Sequence, residues 1–436
     1  GTLMSDEFAA KTPVETIHSG PAASAIGGRF LSLLDDALVS DIGGTTTDIA
    51  LVENGQVAVS EEGATVADYK TAVKAANLFS IALGGDSHIT PDSENRIKIG
   101  PQRVTPLAYL TDQFPRIRRH LSALSQRSDA HLAPDWLEYW YLLRTPVDAD
   151  WLQTEQEKEL VDFLTEAPRP LPEILTHLNL FSKVQINAGN LLRREIIGKS
   201  GLTPTDLLHV DGRHSAWDVQ PAFLAMDVFC RCMRYDPAEF REQIWLKMTE
   251  TIVHAIVTFL SGKKLPLPFH SQDTDIGQWF FLNSLYDNHP QLETRFRLRR
   301  PIIGIGAPAA IFLKSVAEKL HCELILPTHH EVANAVGAVA GNVMITEEVL
   351  VYPRVTGDGL EVLGYTVQTG DNQEVFDEAA DALTHARKLG RERALGAALR
   401  SGADNPEVIV KELTDGLDAY RIRAKAVGKP RLMRFE

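Results

Sequence analysis

The sequence predicts an α/β protein that contains a large helical insertion, and three observations support this prediction. Residues 37–60 have the pattern of short apolar strands joined by tight turns, whereas residues 105–300 are dominated by apolar residues at helical spacing. Residues 301–348 return to alternating strands and helices. The chain has 436 residues, of which 44% are hydrophobic and 23% charged, so it can bury a sizeable core and is not predicted to be disordered.

The first predicted region spans residues 1–105. Ser19 is positioned to cap a helix that is rich in alanine and glycine, so another element can approach that helix closely. An apolar strand at 37–40 then enters a glycine-rich turn, and a second strand follows at 49–52. Asn54-Gly55 predicts a tight hairpin turn before a third strand that ends near residue 60.

The second predicted region, residues 106–300, is mainly helical. Thr203 is predicted to be the N-cap of one helix, with Pro204 at its first position and Asp206 at its third. The other segments with helical spacing are 151–166, 183–199, 218–234 and 237–261.

Strands and helices return in the last two predicted regions. Residues 301–348 contain a buried strand that enters a tight turn at Gly304–Pro308, a helix at 309–320, a strand at 322–326 and a small-residue helix at 331–345. Residues 349–436 form a small α/β part. Its predicted elements are strands near 349–355, 361–367 and 418–427 around a helix at 374–400.

The charge and the cysteine count restrict the partners and the compartment. With 44 basic and 58 acidic residues the net charge is −14, so a nucleic acid is not an expected partner. The short basic runs at 116–119 and 297–300 are interpreted as solvated faces or ion-pair partners. Three cysteines suit a reducing compartment, and we expect a cytoplasmic protein. No uninterrupted apolar run reaches the ~18 residues of a membrane span, so no membrane partner is expected.

The turn at residues 41–48, with the sequence DIGGTTTD, is the strongest candidate site. Glycines in a turn expose backbone N–H groups that can surround a phosphate, and threonine hydroxyls add further donors. Asp41 and Asp48 flank the turn and could hold a hydrated Mg²⁺. The alternative is an ordinary glycine-rich hairpin, in which aspartate and threonine have only turn roles.

Other residues that could hold a metal are judged against simpler structural roles. The group His209, Asp211 and His214 has a spacing that could serve a metal, but polar loop residues are commoner. The adjacent pair His329-His330 points its side chains apart on most backbones. A Cys-X-Cys pair at Cys230 and Cys232 has no second pair to accompany it, and buried helix thiols are the simpler interpretation.

The turn at 41–48, taken with the run PVETIHSGPAA at residues 13–23, resembles the hydantoinase/oxoprolinase family. These are the A-type subunits of ATP-dependent hydantoinases and oxoprolinases and of related acetone carboxylases. They are similar to the wider superfamily of actin, sugar kinases and heat-shock chaperone ATPases. Further similar segments, at 201–208, 303–310 and the helix that ends near residue 343, extend the resemblance over about 330 residues.

The resemblance implies an actin-like (ribonuclease-H-like) core and a nucleotide site. It places Asp41 and Asp48 near Mg²⁺ or an activated water, as catalytic and metal-binding residues. The residues that it places on the phosphates of ATP are Gly43, Gly44, Thr45, Thr46 and Thr47, and those that it places against the adenosine are Gly304, Gly306 and Ala307. From the residues alone, the simpler interpretation of the turn at 304–308 is a strand-to-helix connection without a ligand.

The activity that the resemblance implies is the ATP-dependent phosphorylation of an amide oxygen, after which water opens a small cyclic amide. One alternative is a nucleotide-binding regulatory or scaffold protein of the same fold without turnover, and another is a small-molecule kinase. Because the family places a further GGT-type turn in a separate amino-terminal part, we expect Gly1 to begin one portion of a longer assembly. A second hydrolase subunit or a missing amino-terminal half is therefore an expected partner, in a homo- or hetero-oligomer.

Overall fold

A computed structural model describes residues 9–10, 13–59, 65–66, 69–70, 76–127, 132–148, 151–262, 276–356, 361–370, 372–415 and 418–430. The chain divides into two compact units. The first contains residues 1–39, 50–78 and 327–436, and the second contains residues 40–49 and 79–326. The architecture is mixed α/β, which confirms the predicted class, whereas the actin-like character of the core stays a prediction.

The strands in chain order are β1 (Ala37–Ile42), β2 (Thr47–Glu53), β3 (Gln56–Val57), β4 (Thr65–Val66), β5 (Tyr69–Lys70), β6 (Leu78–Ile81), β7 (Ser87–Pro91), β8 (Ile97–Arg103), β9 (Thr105–Pro106), β10 (Tyr139–Leu142), β11 (Arg169–Pro170), β12 (Ile197–Gly201), β13 (Ile302–Ile305), β14 (Leu324–Ile325), β15 (Val343–Val355), β16 (Val362–Thr369), β17 (Asn372–Phe376), β18 (Ala403–Thr414) and β19 (Tyr420–Pro430). One sheet has the order β14-β13-β1-β2-β3, with β6 also beside β2.

The α-helices are Ser19–Ser32, Leu107–Gln113, Arg116–Gln126, Glu155–Thr165, Leu171–His177, Gly189–Arg193, Pro204–Val210, Val219–Met233, Pro237–Ser261, Ile276–Tyr286, Ala309–Lys319, Ala333–Ala340 and Ala379–Arg400. Short 3₁₀ helices lie at Pro13–Thr16, Pro134–Leu137, Lys183–Gln185 and His330–Val332.

In the first unit the two small-residue helices pack on each other. A Cβ at Gly27 would lie 1.8 Å from the Ala333 carbonyl oxygen, and one at Gly337 would lie 1.8 Å from that of Ala23. Only glycine allows backbones to approach this closely. The predicted cap is wrong in one detail: His18 is the N-cap, with φ of 61°, and the helix begins at Ser19 without a side-chain cap.

The hairpin between β2 and β3, also in the first unit, forms as predicted. Val52 pairs with Val57 and Glu53 with Gln56, and the two turn residues, Asn54 and Gly55, both have positive φ. This backbone matches the twist of the flanking strands. Residue 60, the predicted end of the third strand, lies outside the described residues.

The carboxyl-terminal part of the first unit is a five-stranded antiparallel sheet with the order β17-β16-β15-β19-β18. The helix Ala379–Arg400 packs against the sheet, and its buried residues recur every fourth position: Ala382, Ala386, Gly390, Ala394 and Ala398. The predicted strands and helix are present. The long strand β18 was missed because it alternates charged and apolar residues that remain largely exposed.

The second unit contains the predicted helical region, together with a four-stranded sheet that sequence analysis missed. The order of this sheet is β11-β10-β12-β9. The prediction of a helix over 183–199 is wrong, because only Gly189–Arg193 is α-helical and the residues after it enter β12. Within β12, Ile197 is buried and pairs with Leu142 across the sheet, so its burial decides the local structure.

The longest helix of the second unit, Pro237–Ser261, has the length and the mean hydropathy of a membrane span, although its apolar residues are interrupted. More than half of its apolar window is buried inside the structure, as in the core helix of a globular unit. The capping box predicted at the start of Pro204–Val210 is present, with Thr203 and Asp206 exchanging hydrogen bonds.

Candidate functional site

The turn between β1 and β2 lies in the second unit and is closed by its own backbone. The N–H of Gly43 donates to the carbonyl oxygen of Thr46 over 2.9 Å. Among the described residues, the N–H groups of Gly44 and Thr45 have no hydrogen-bond acceptor. Thr45 is exposed and Gly44 is half-buried.

A second loop, residues 84–86, holds the turn through its carbonyl groups. The N–H of Gly85 donates to the Gly43 oxygen over 3.0 Å, and the N–H of Asp86 donates to the Gly44 oxygen over 2.8 Å. In a trans peptide the C=O and the following N–H point in opposite directions. The N–H groups of Gly44 and Thr45 therefore point away from this loop, which leaves them available to an anion.

The loop can approach the turn because residue 84 is a glycine. A Cβ at Gly84 would lie 2.5 Å from the carbonyl oxygens of both Gly43 and Gly44. A side chain at this position would separate the loop from the turn and break both hydrogen bonds.

The predicted adenosine turn contacts the end of β1. Gly306 has φ of 90°, and a Cβ there would lie 2.2 Å from the Ile42 oxygen and 2.9 Å from Oδ1 of Asp41. Gly304 is different: it is buried within β13, where a Cβ would meet the side chains of Leu313 and Leu326. Ala307 is exposed. The structure thus brings Gly306 to the end of β1, more than 260 positions away in the sequence.

Two carboxylates near the turn, those of Asp48 and Asp86, are anchored by hydrogen bonds or an ion pair. Asp48 accepts hydrogen bonds from the hydroxyls of Thr46, over 3.1 Å, and Ser80. Asp41 is half-buried. Asp86 pairs with Arg103 over 3.1 Å. Asp41 and Asp48 offer the hard oxygen ligands that Mg²⁺ prefers, so the residues present fit this cation.

The three threonines of the turn are not equivalent. Thr45 and Thr46 lie in the turn itself, whereas Thr47 is the first residue of β2 and is fully buried. The Thr47 hydroxyl donates to the Leu83 oxygen over 2.8 Å. In this structure it connects the strand to the neighbouring segment, and only Thr45 and Thr46 present hydroxyls in the turn. The contacts of all these residues with nucleotide remain predictions.

The supporting loop is fixed in turn by the helix Pro204–Val210. Both the N–H and the hydroxyl of Thr205 donate to the Gly85 oxygen, each over 2.8 Å. The next residue, Asp206, is fully buried, and accepts hydrogen bonds from Thr203 and from the N–H groups of Leu107 and Ala108. Burial raises the pKa of Asp206 to about 6. These contacts form a second layer beneath the turn.

His88 follows the supporting loop and is nearly buried. A Cβ at Gly201 would lie 2.3 Å from its Nε2, so the ring packs directly on the backbone of β12. Burial lowers the pKa of His88 to about 4. The imidazole is therefore neutral at physiological pH.

His209 and Asp211, which were also considered for a metal, are engaged in other contacts. His209 contacts the Thr205 oxygen through Nδ1 and accepts from the Trp217 N–H through Nε2, and Asp211 pairs with Arg241 over 2.6 Å. No group of three or more histidine, cysteine, aspartate or glutamate side chains in the described part of the chain is arranged to hold a metal ion. Cys230 is buried, which raises the pKa of its thiol to about 12.

The turn is recognisable in the sequence, whereas the residues that support it are not. Nothing in the sequence links the supporting loop, residues 84–86, to Thr205. The paired glycines were the one local signal, because two glycines before a polar residue indicate a close approach of two backbones.

Comparison with known proteins relates the chain to one family. Its residues 1–108 match the family model described as hydantoinase/oxoprolinase, and no curated protein matches the sequence. Similar solved structures include a nucleotide-free ATP-dependent acetone carboxylase (13% identity, TM-score 0.45) and an ATP-dependent caprolactamase from Pseudomonas jessenii (12% identity, TM-score 0.46). Each likeness covers 95% of this chain and 50% of the other, so the chain spans about half the length of those proteins. The similarity to the hydantoinase/oxoprolinase family therefore lies in residues 1–108.

Proposed function

We propose that the chain is the nucleotide-binding component of an ATP-dependent enzyme that phosphorylates and opens a small cyclic amide, in the manner of hydantoinases and oxoprolinases. The observation that supports it most directly is the orientation of the glycine turn. The carbonyls of Gly43 and Gly44 are bonded to the supporting loop, so the N–H groups of Gly44 and Thr45 face outward without an acceptor. Outward amides of this kind are suited to bind a phosphate.

The negative charge around the turn means that a phosphate would need a cation beside it. The chain carries a net charge of −14, and Asp41 and Asp48 flank the turn. A phosphate beside two carboxylates is repelled unless positive charge lies between them. When bound, Mg²⁺ supplies that charge. The hydroxyls of Thr46 and Ser80 donate hydrogen bonds to the Asp48 carboxylate and hold it in position beside the turn.

The contact of Gly306 with the end of β1 supports the finer fold proposal, an actin-like core whose second glycine turn faces the nucleotide. Backbone amides and a metal would then provide most of the catalysis, since phosphoryl transfer depends chiefly on positioning and charge stabilisation. A second hydrolase subunit or an amino-terminal half would complete the reaction. We further propose a cytoplasmic oligomer as the working assembly.

Titration calorimetry with ATP and Mg²⁺ tests the nucleotide site. We expect the chain to bind, and Asp48→Asn, which keeps the side-chain volume but removes the charge, to bind about tenfold more weakly or worse. Asp112→Asn is the matched control, because Asp112 is exposed on a helix of the same unit and, among the described residues, its carboxylate accepts a hydrogen bond only from its neighbour Gln113. Its affinity should be unchanged. Absence of binding by the unmodified chain would contradict the proposal.

An ATPase assay with hydantoin or 5-oxoproline then separates the enzyme from its main alternative. Stimulation of ATP hydrolysis by the cyclic amide supports the proposed activity. Binding of ATP without any stimulation, including after addition of a cognate second subunit, supports a nucleotide-binding regulatory or scaffold protein. Transfer of phosphate to a stable alcohol would indicate a kinase.

A further inference from the structure

An open groove of about 1030 Å³ lies in the second unit, near the sheet-edge strand β14. Its walls are the segment 297–301, one face of the helix Ala309–Lys319 and the residues that lead into β14. This groove is lined by different residues from those of the glycine turn, and β13 lies between β14 and β1 in the sheet.

The groove is unusually basic for an acidic protein. Four permanent cations line it, Arg297, Arg299, Arg300 and Lys314, against two carboxylates, Glu318 and Glu323. Within the described residues, Arg297, Arg299 and Lys314 form no ion pair. Three other arginines of the same unit are paired: Arg103 with Asp86, Arg118 with Asp218 and Arg241 with Asp211. Like charges held together without partners repel one another, and a bound anion relieves that repulsion.

The walls of the groove are fixed by backbone hydrogen bonds rather than by the basic side chains. The N–H of Leu298 donates to the Leu320 oxygen over 2.9 Å, and the N–H of Ile302 donates to the Glu323 oxygen over 2.8 Å. Arg297 and Arg299 therefore flank a residue that is tied to the opposite wall. Their guanidinium groups are not needed to hold the segment, so they are free to bind a ligand.

We propose that this groove binds a small molecule that carries two or more phosphate groups. Guanidinium groups form paired hydrogen bonds with phosphate oxygens, and a lysine adds a compact positive charge. Several separated cations along a groove of this volume suit a chain of phosphates better than a single anion. The site is distinct from the glycine turn, which offers backbone amides and carboxylates, and the proposal does not depend on the proposed function.

Calorimetry with inorganic tripolyphosphate, without divalent cations and with a chelator present, tests the groove directly. We expect the double variant Arg297→Gln/Arg299→Gln to bind at least about tenfold more weakly than the unmodified chain. The control is Arg116→Gln/Arg119→Gln, which removes the same charge from another basic run of the second unit. An equal loss in both variants would mean that the ligand senses only the overall charge, and would overturn the proposal.

A second measurement locates the ligand and does not depend on the double variant folding. Tripolyphosphate should slow the acetylation of Lys314, followed by mass spectrometry, while the exposed Lys388 of the first unit is unaffected. The single variant Lys314→Gln should bind about threefold more weakly. Unprotected Lys314, or citrate binding as tightly as tripolyphosphate, would contradict a polyphosphate site. ATP tested under the same conditions shows whether a nucleoside is accepted in addition to the phosphates.

Discussion

Gly44 and Gly306 both lie in turns of the second unit that follow a buried strand. They differ in the kind of atom that a Cβ at each position would meet. A Cβ at Gly306 would lie 2.2 Å from the backbone oxygen of Ile42, with φ of 90°. A Cβ at Gly44 would lie 2.4 Å from Oδ2 of Asp86, the end of a side chain, and its φ is not in the left-handed region. A backbone atom cannot move without the strand, whereas a carboxylate can. Gly306 is therefore required by the fold, whereas Gly44 keeps open the space beside the candidate phosphate site.

We expect the largest effect at Gly306, where a Cβ would meet a backbone atom. Gly306→Ala should lower the free energy of unfolding by about 3–4 kcal/mol, because the methyl group collides with the end of β1 and the backbone is strained. Urea denaturation measures this change. Gly212→Ala is the matched control, since Gly212 has φ of 67° and a Cβ there meets no atom within 4 Å. It should lose only about 1 kcal/mol, the cost of the backbone conformation. Equal losses would show that strain alone, and not contact with Ile42, explains Gly306.

How much the sequence could predict depends on how local each interaction is. Asn54-Gly55 and the Thr203–Asp206 capping box were predictable because their hydrogen bonds join residues that are close in sequence. Asp41 through Thr46 stood out for the same reason, since glycine and threonine mark the turn itself.

The remaining features depend on distant contacts that no local pattern encodes. The bond from Gly85 to Gly43 and the contact between Gly306 and Ile42 each join segments brought together only by the sheet. The buried position of Ile197 in β12 likewise overrode the helical spacing of its neighbourhood. Thr47 is a partial exception. The alternation of a half-buried strand could have placed its side chain inward beside that of Ile49.

The second effect is the pH dependence of stability that we expect from His88, which follows the loop that supports Gly43 and Gly44. His88 has a pKa of about 4 in the folded chain, below the ordinary value of 6.5, because it is buried. The unfolded chain binds a proton more readily between these values, so the contribution of His88 to stability is complete above about pH 6.5 and is lost as the pH falls toward 4. The loss should reach about 3 kcal/mol.

Unfolding free energies measured by urea denaturation across this pH range test the prediction. His88→Gln should remove most of the loss between neutral pH and the folded-state pKa. A slope that is unchanged in His88→Gln would assign the acid sensitivity to other groups.

The smallest effect is expected at Gly44, where the double-mutant cycle tells a side-chain contact from a backbone contact. Gly44→Ala should cost about 1–2 kcal/mol, because the new methyl group displaces the Asp86 carboxylate from Arg103. If the obstacle is that carboxylate, Asp86→Ala should make Gly44→Ala nearly neutral in a double-mutant cycle of unfolding free energies. Gly84→Ala is the control, since its Cβ would meet the carbonyl oxygens of Gly43 and Gly44, and Asp86→Ala cannot relieve that contact. Additive losses in the first pair would mean that Gly44, like Gly306, is retained for its backbone, and that the space beside the turn is not determined by Asp86.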